Sequence, residues 1–194
     1  MSGRRLFFLV APLLRFVIVG LKLLPICVRV SLLELFKYFP FRLGVALRYV
    51  LAASIFRRIG TNVYIAAGVT FKNAQYLSVG SNVSFHDNVY VDALGEIIIG
   101  DDVSIAHQAS LVSFNHTWDN RNKPIKYNSI ECGPINIADD VWVSCGVRIL
   151  AGASISERTV VAAGAVVVAA EFPPLVLIGG IPAKTLKAIP YVDV

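Results

Sequence analysis

From Ile137 onward the chain sets an aliphatic residue at every sixth position: Ile137, Val143, Ile149, Ile155, Val161 and Val167. Small residues follow several of them (Ala138, Ser144, Ser156, Ala162), and glycine falls in the gaps at Gly146, Gly152 and Gly164. A helix repeats every 3.6 residues and a strand every two, so neither alone yields a clean six. A hexapeptide period belongs to a parallel β-helix, in which each unit is one short strand and one turn. The aliphatic side chain points into the coil and the small residue fits the corner. Glycine there supplies a positive φ or a close backbone approach.

The same phase recurs upstream in shorter runs. Ile59, Ile65, Phe71 and Leu77 form one, Val79, Phe85, Val91 and Ile97 the next, and Ile99, Ile105 and Leu111 a third. Each run restarts two residues late. Three strands per coil, with an occasional two-residue bulge, accounts for the delay. Between Leu111 and Ile137 the pattern stops, and the polar segment 113–134 reads as a loop thrown out of the coil. The expected organisation is a helical segment over 1–58, a β-helix over 59–170 carrying that loop, and a C-terminal extension over 171–194.

Charge separates the first segment from the rest. The net +5 is uneven: residues 1–58 hold ten Lys/Arg against one acid, Glu34, and the remainder holds eight against twelve. Nucleic acid is a poor partner for a segment rich in Leu, Val, Ile and Phe, with few polar side chains to read bases. An anionic membrane surface suits it better. Arg15, Lys22 and Arg29 are seven apart, and a helix drifts only about 20° over that step, so they form one stripe on an apolar helix. Pro12 and Pro25 are expected to break or kink it. No uncharged run reaches the ~18–20 residues needed to span a bilayer. Residues 1–40 therefore read as one or two amphipathic helices lying in the interface, and 41–58 as a helical cap on the coil. A cleaved signal peptide is not expected, because Arg15 interrupts the apolar run and no small-residue cleavage site follows. Cys27, Cys132 and Cys145 are far apart and suggest neither a disulfide framework nor a zinc site.

Few residues are left to carry chemistry. His86 and His107 fall just after inward positions of the repeat and read as corner or surface residues. His116 opens the ejected loop, within Ser113-Phe114-Asn115-His116-Thr117-Trp118-Asp119. Loops held by a rigid scaffold concentrate function, and histidine is the usual general base near neutral pH. His116 is the catalytic candidate.

Several stretches together carry a resemblance: Ile99-Gly100-Asp101-Asp102-Val103, the loop just quoted, Lys123-Pro124-Ile125, and Ile137-Ala138-Asp139-Asp140-Val141-Trp142-Val143. To these add Val161-Ala162-Ala163-Gly164-Ala165-Val166-Val167 and the closing Gly180-Ile181-Pro182-Ala183-Lys184. With them the chain resembles the left-handed β-helix (hexapeptide-repeat) acyltransferases. Within these it is similar to sugar and polysaccharide O-acetyltransferases of the maltose, galactoside and colanic acid type. The resemblance implies a mainly β, left-handed parallel β-helix, a homotrimer with sites between neighbouring subunits, and acetyl-CoA as acyl donor, with no metal. It implies His116 as the base acting on a carbohydrate hydroxyl, with Asn115, Asp92 and Trp142 on the acceptor side. Trp142, Cys145, Ala163 and Gly164 would flank the cofactor, and Lys184 and Lys187 would meet its phosphates. The acceptor would be a sugar of a surface polysaccharide or its lipid-linked precursor, acetylated at the inner face of a bacterial inner membrane. A free sugar or xenobiotic acceptor is the alternative within enzymes, and a non-catalytic membrane-recruited scaffold the alternative outside them. Two departures stand out. Val168-Ala169-Ala170 occupies the place where many members carry Thr-Lys, which removes a cofactor contact. Ala93 occupies the place of the histidine of serine acetyltransferases.

Overall fold

The computed structural model describes residues 3–190; the last residues of the expected C-terminal extension, 191–194, lie outside the described residues. The six-residue period folds as a left-handed parallel β-helix of about six turns with three faces. Inward side chains stack in register up each face. On the first face the column is Ile59, Val79, Ile99, Ile137, Ile155 and Phe172. On the second it is Ile65, Phe85, Ile105, Val143, Val161 and Ile178. On the third it is Phe71, Val91, Leu111, Ile149 and Val167. All but Ile59 are buried. Burying one such side chain contributes roughly 1.5–3 kcal/mol of transfer energy, so these columns hold the coil together.

The two-residue delays are not bulges. On the first face the strands Leu77–Val79, Ile97–Ile99 and Ile135–Ile137 each have two inward, buried residues and pair in unbroken register. The extra two residues lengthen a strand rather than kink it. The coil step accordingly begins at twenty residues, Ile59 under Val79, and shortens to eighteen, Ile137 under Ile155. At the corner joining the first and second faces, Asn62, Asn82, Asp102 and Asp140 stack with φ of 55°, 59°, 57° and 54°. Asn and Asp tolerate this left-handed conformation better than other non-glycine residues. Here they also bond upward, Asn62 Nδ2 donating to Asn82 Oδ1 at 3.0 Å and Asn82 Nδ2 to Asp102 Oδ1 at 2.9 Å.

The ejected loop leaves from the edge between the third and first faces. The frame closes beneath it: Leu111 pairs with Ile149 and Ile99 with Ile137 across the break, and Gly133 N donates to Ser113 O at 2.9 Å. The loop is more ordered than its sequence suggests. Its two arms, Phe114–His116 and Ile130–Cys132, pair as an antiparallel hairpin.

Both ends of the coil are covered. Backbone bonds between coils run both ways, as Tyr64 N to Val83 O and Asn82 N to Thr61 O, and the first coil turns the carbonyls of Gly60 and Ile65 toward the helical segment. Helix α3, Phe41–Ile55, lies over them. Arg48 Nε donates to Ile65 O at 2.9 Å and Tyr49 OH to Gly60 O at 3.3 Å. Arg48 also donates to Phe39 O at 2.8 Å, tying down the approach to α3. Burial pulls the Arg48 guanidinium below its ordinary pKa, against the opposing influence of Tyr64 and Asp87. At the far end the coil continues to Gly180 instead of stopping at residue 170, because Phe172 and Ile178 still pair above Ile155 and Val161. The strand Ala183–Ala188 then folds back antiparallel on Val176–Gly180.

Helix α1, Gly3–Leu21, runs through Pro12, whereas Pro25 immediately precedes α2, Ile26–Phe36. The break between them parts the expected basic stripe. Arg15 and Lys22 are exposed on α1 and just past its end, but Arg29 turns inward from α2 and donates to Ser54 O. Among the described residues no helix is long and apolar enough to cross a membrane.

Candidate active site

The candidate residues fall in three places on the coil. The first is the root of the ejected loop. Asp92 ends a strand of the third face, one coil below Val112, and is buried at 8% exposure. Its Oδ1 accepts from Asn73 Nδ2 at 2.7 Å and from Leu94 N at 3.3 Å, and its Oδ2 from Tyr90 OH at 3.5 Å. Burial raises the Tyr90 pKa, and the Asp92 carboxylate beside it raises it further. Ser113 sits on the same corner. Its Oγ donates to Asp92 O at 3.0 Å and accepts from Gly95 N at 2.9 Å. Gly95 has to be glycine here, because a Cβ would collide with the Ser113 carbonyl. Asp92 is thus a brace under the loop, with most of its hydrogen-bonding capacity already engaged. Asn73 and Tyr90, its partners, were not singled out in the sequence. The twenty-residue coil step, which sets Lys72 under Asp92, leads to Asn73, and Tyr90 precedes Asp92 by two on the same strand.

From that root the hairpin carries Asn115 and His116 into solvent, both exposed. His116 lies opposite Ile130 in the antiparallel pair, with Asn115 opposite Glu131. The Phe114 and His116 rings meet edge-on with centroids 6.3 Å apart. Backbone pairing therefore fixes where His116 stands on the loop, and its side chain is exposed. Such a group can accept a proton from a hydroxyl brought to it.

The second place is the outer surface of the second face. Trp142 points outward there, 52% exposed, between Ser104 below and Val160 above. It borders a hollow of about 340 Å³ that also includes Arg158, Asp140 and Ile189.

The third place is the corner between the second and third faces. Gly146 N donates to His107 O at 3.1 Å and Gly164 N to Cys145 O at 3.0 Å, so His107, Cys145 and Ala163 stack along one edge. Gly146 and Gly164 hold φ of 68° and 70°. Beside Gly164 a Cβ would meet nothing within 4 Å, so this edge is open and lined by small groups. A slender chain can lie against backbone there. Lys184 pairs with Gly179 just above this edge and is exposed. Lys187 pairs with Leu177, further back on the second face, and is also exposed.

The structure therefore joins Asp92 to the root of the His116 loop, and Cys145 to Ala163 and Gly164. It does not join the two groups within one chain, since the loop is rooted on the edge opposite the face that carries Trp142. Among the described residues no cluster of His, Cys, Asp or Glu could hold a metal ion.

Comparison with known proteins gives this geometry a setting. No protein-family model matches the chain. The galactoside O-acetyltransferase of Escherichia coli (strain K12) is 27% identical over 139 residues, covering 72% of this chain and 67% of that protein. A provisionally named lipopolysaccharide biosynthesis O-acetyl transferase of the same strain is 29% identical over 113 residues, 55% of this chain and 57% of its own length. The crystal structure of a hexapeptide-repeat-containing acetyltransferase from Vibrio cholerae O1 biovar eltor, complexed with acetyl coenzyme A, matches with a TM-score of 0.76 at 28% identity. That match covers 86% of this chain and 88% of the other. The chain spans between 32% and 67% of the length of four curated relatives.

Proposed function

The chain belongs to the hexapeptide-repeat acyltransferases, and on that premise we propose that it transfers an acetyl group from acetyl-CoA to a hydroxyl of a sugar in a surface polysaccharide or its lipid-linked precursor. The observation that carries this reading is the exposed His116, fixed by hairpin pairing on a loop that the frame holds closed at its root. In the reaction, His116 takes the proton from the acceptor hydroxyl as its oxygen bonds to the acetyl carbonyl carbon. The carbon–sulfur bond then breaks, and the proton on His116 passes to the departing thiolate. A preorganised hydrogen-bond donor stabilises the oxyanion in between. The open edge at Cys145, Ala163 and Gly164 would hold the pantetheine arm, with Lys184 and Lys187 near the phosphates as mobile point charges.

Trp142 and His116 belong to one site if the loop of one subunit reaches the second face of its neighbour. That supports a closed trimer with three such sites, a heterologous contact that closes on itself. The acceptor side rests on the sugar and lipopolysaccharide names carried by two relatives. The test is release of free CoA thiol from acetyl-CoA with a panel of sugars and lipid-linked glycans, followed by mass spectrometry of the product. A glycan gaining one acetyl group supports the reading. Thiol release with none of them, or only with a non-carbohydrate acceptor, rejects it.

A further inference from the structure

Helix α1 has apolar residues on two sides, and only one side is covered. Phe7, Leu14, Ile18 and Leu21 pack against the core. On the other side Leu9, Leu13, Phe16 and Val19 are 71%, 64%, 78% and 65% exposed. A contiguous apolar surface of this kind, rimmed by charge, marks an interaction site. Its charges are all of one sign. Arg5, Arg15 and Lys22 are exposed beside it. The single acid of the helical segment, Glu34, is taken up by Lys37 at 2.9 Å and Lys72 at 3.3 Å.

A cleft of about 420 Å³ opens between α1, α3 and the first two coils. Phe7, Val10, Leu14, Ala46 and Tyr49 line it, and Arg42 stands in its wall. No acid lines it. Arg15, exposed on α1, is close enough to Tyr49 of the cleft lining to oppose the rise that burial imposes on its phenol.

We propose that the cleft and the bare side of α1 bind an anionic phospholipid leaflet, with one acyl chain in the cleft and its phosphate between Arg15 and Arg42. Charge decides the occupant. A second copy docking face to face would bring the same cations together. An anionic leaflet supplies the opposite charge and receives the apolar side chains in its interfacial layer. The surface lies at the first coil, away from the ejected loop, so it stands independently of the acyl-transfer reading.

The test is flotation of the full-length protein with phosphatidylcholine vesicles, with and without phosphatidylglycerol. Phosphatidylglycerol is expected to tighten binding about tenfold or more, and added salt to weaken it. Phe16→Glu should abolish binding to both kinds of vesicle. Arg15→Glu with Arg42→Glu should remove only the preference for phosphatidylglycerol. Ala46→Trp fills the cleft without changing charge and should weaken binding to both. Each variant is checked for an unchanged unfolding midpoint by circular dichroism. The proposal is overturned if the wild-type protein floats with neither vesicle, or if the double charge reversal or the cleft-filling variant binds like wild type. It is also overturned if Phe16→Glu lowers the mass in sedimentation while vesicle binding persists, since the face would then be a contact between copies.

Discussion

In the proposed reaction His116 carries the most chemistry of any single side chain, and its exposure makes a clean test possible. It fills no inward position, so His116→Ala should leave the hairpin and the coil folded. A positioned general base contributes ~10²–10⁴-fold, and kcat should fall by about that factor. The KM for acetyl-CoA should change little, because the base meets the acceptor hydroxyl and not the distal end of the cofactor. Protonated imidazole cannot accept a proton, so wild-type kcat/KM should fall on the acid side. His86→Ala and His107→Ala, both at the corner between the second and third faces, should remain active. Near-full turnover by His116→Ala, with loss in either control, would move the site elsewhere. The place of His116 on an exposed loop was legible in the sequence because it stands where a regular pattern stops. The bracing of Asp92 was not, because Asn73 lies nineteen residues away and meets it only through coil stacking.

At the level of elements, the strands were readable because one side of each is buried and the other is not, which imposes the period on the sequence. The hairpin of the ejected loop was not readable for the same reason. Its strand Ile130–Cys132 is exposed throughout, and Phe114–His116 nearly so, so burial imposes no alternation on them. The longer first-face strands looked like bulges because two inward residues per strand and one extra residue pair produce the same spacing. Helix α3 as a cap was expected, but its polar connection to the coil was not. That connection yields a prediction. Arg48→Ala would leave the carbonyls of Ile65 and Phe39 without their donor, at about 1–3 kcal/mol for each orphaned acceptor. The unfolding midpoint should drop, and amide exchange should rise first in α3 and the first coil. An unchanged midpoint with uniform exchange would mean that apolar packing alone holds the cap.

At the scale of the whole molecule, the separation of Trp142 from the root of the His116 loop bears on assembly. If neighbouring subunits share each site, chains carrying His116→Ala and chains carrying Trp142→Ala should complement one another. Co-expressed, they should form mixed oligomers in which some sites are intact, with turnover above that of either variant alone. No recovery in mixed oligomers would mean that each chain supplies its own site. The helical segment and the coil read differently in the sequence because their apolar residues are covered differently: the coil hides its own from water, and α1 keeps many of its own uncovered. The hydrogen bond from Gly133 to Ser113 has a consequence for descent. The frame closes beneath the excursion and pairs across it, so its stability depends only weakly on what the intervening residues are or how many there are. Substitutions, insertions and whole exchanges between those two residues are thereby released from the selection that preserves the core. A lineage can retune what its enzyme acetylates in that one cassette while inheriting the remainder unaltered.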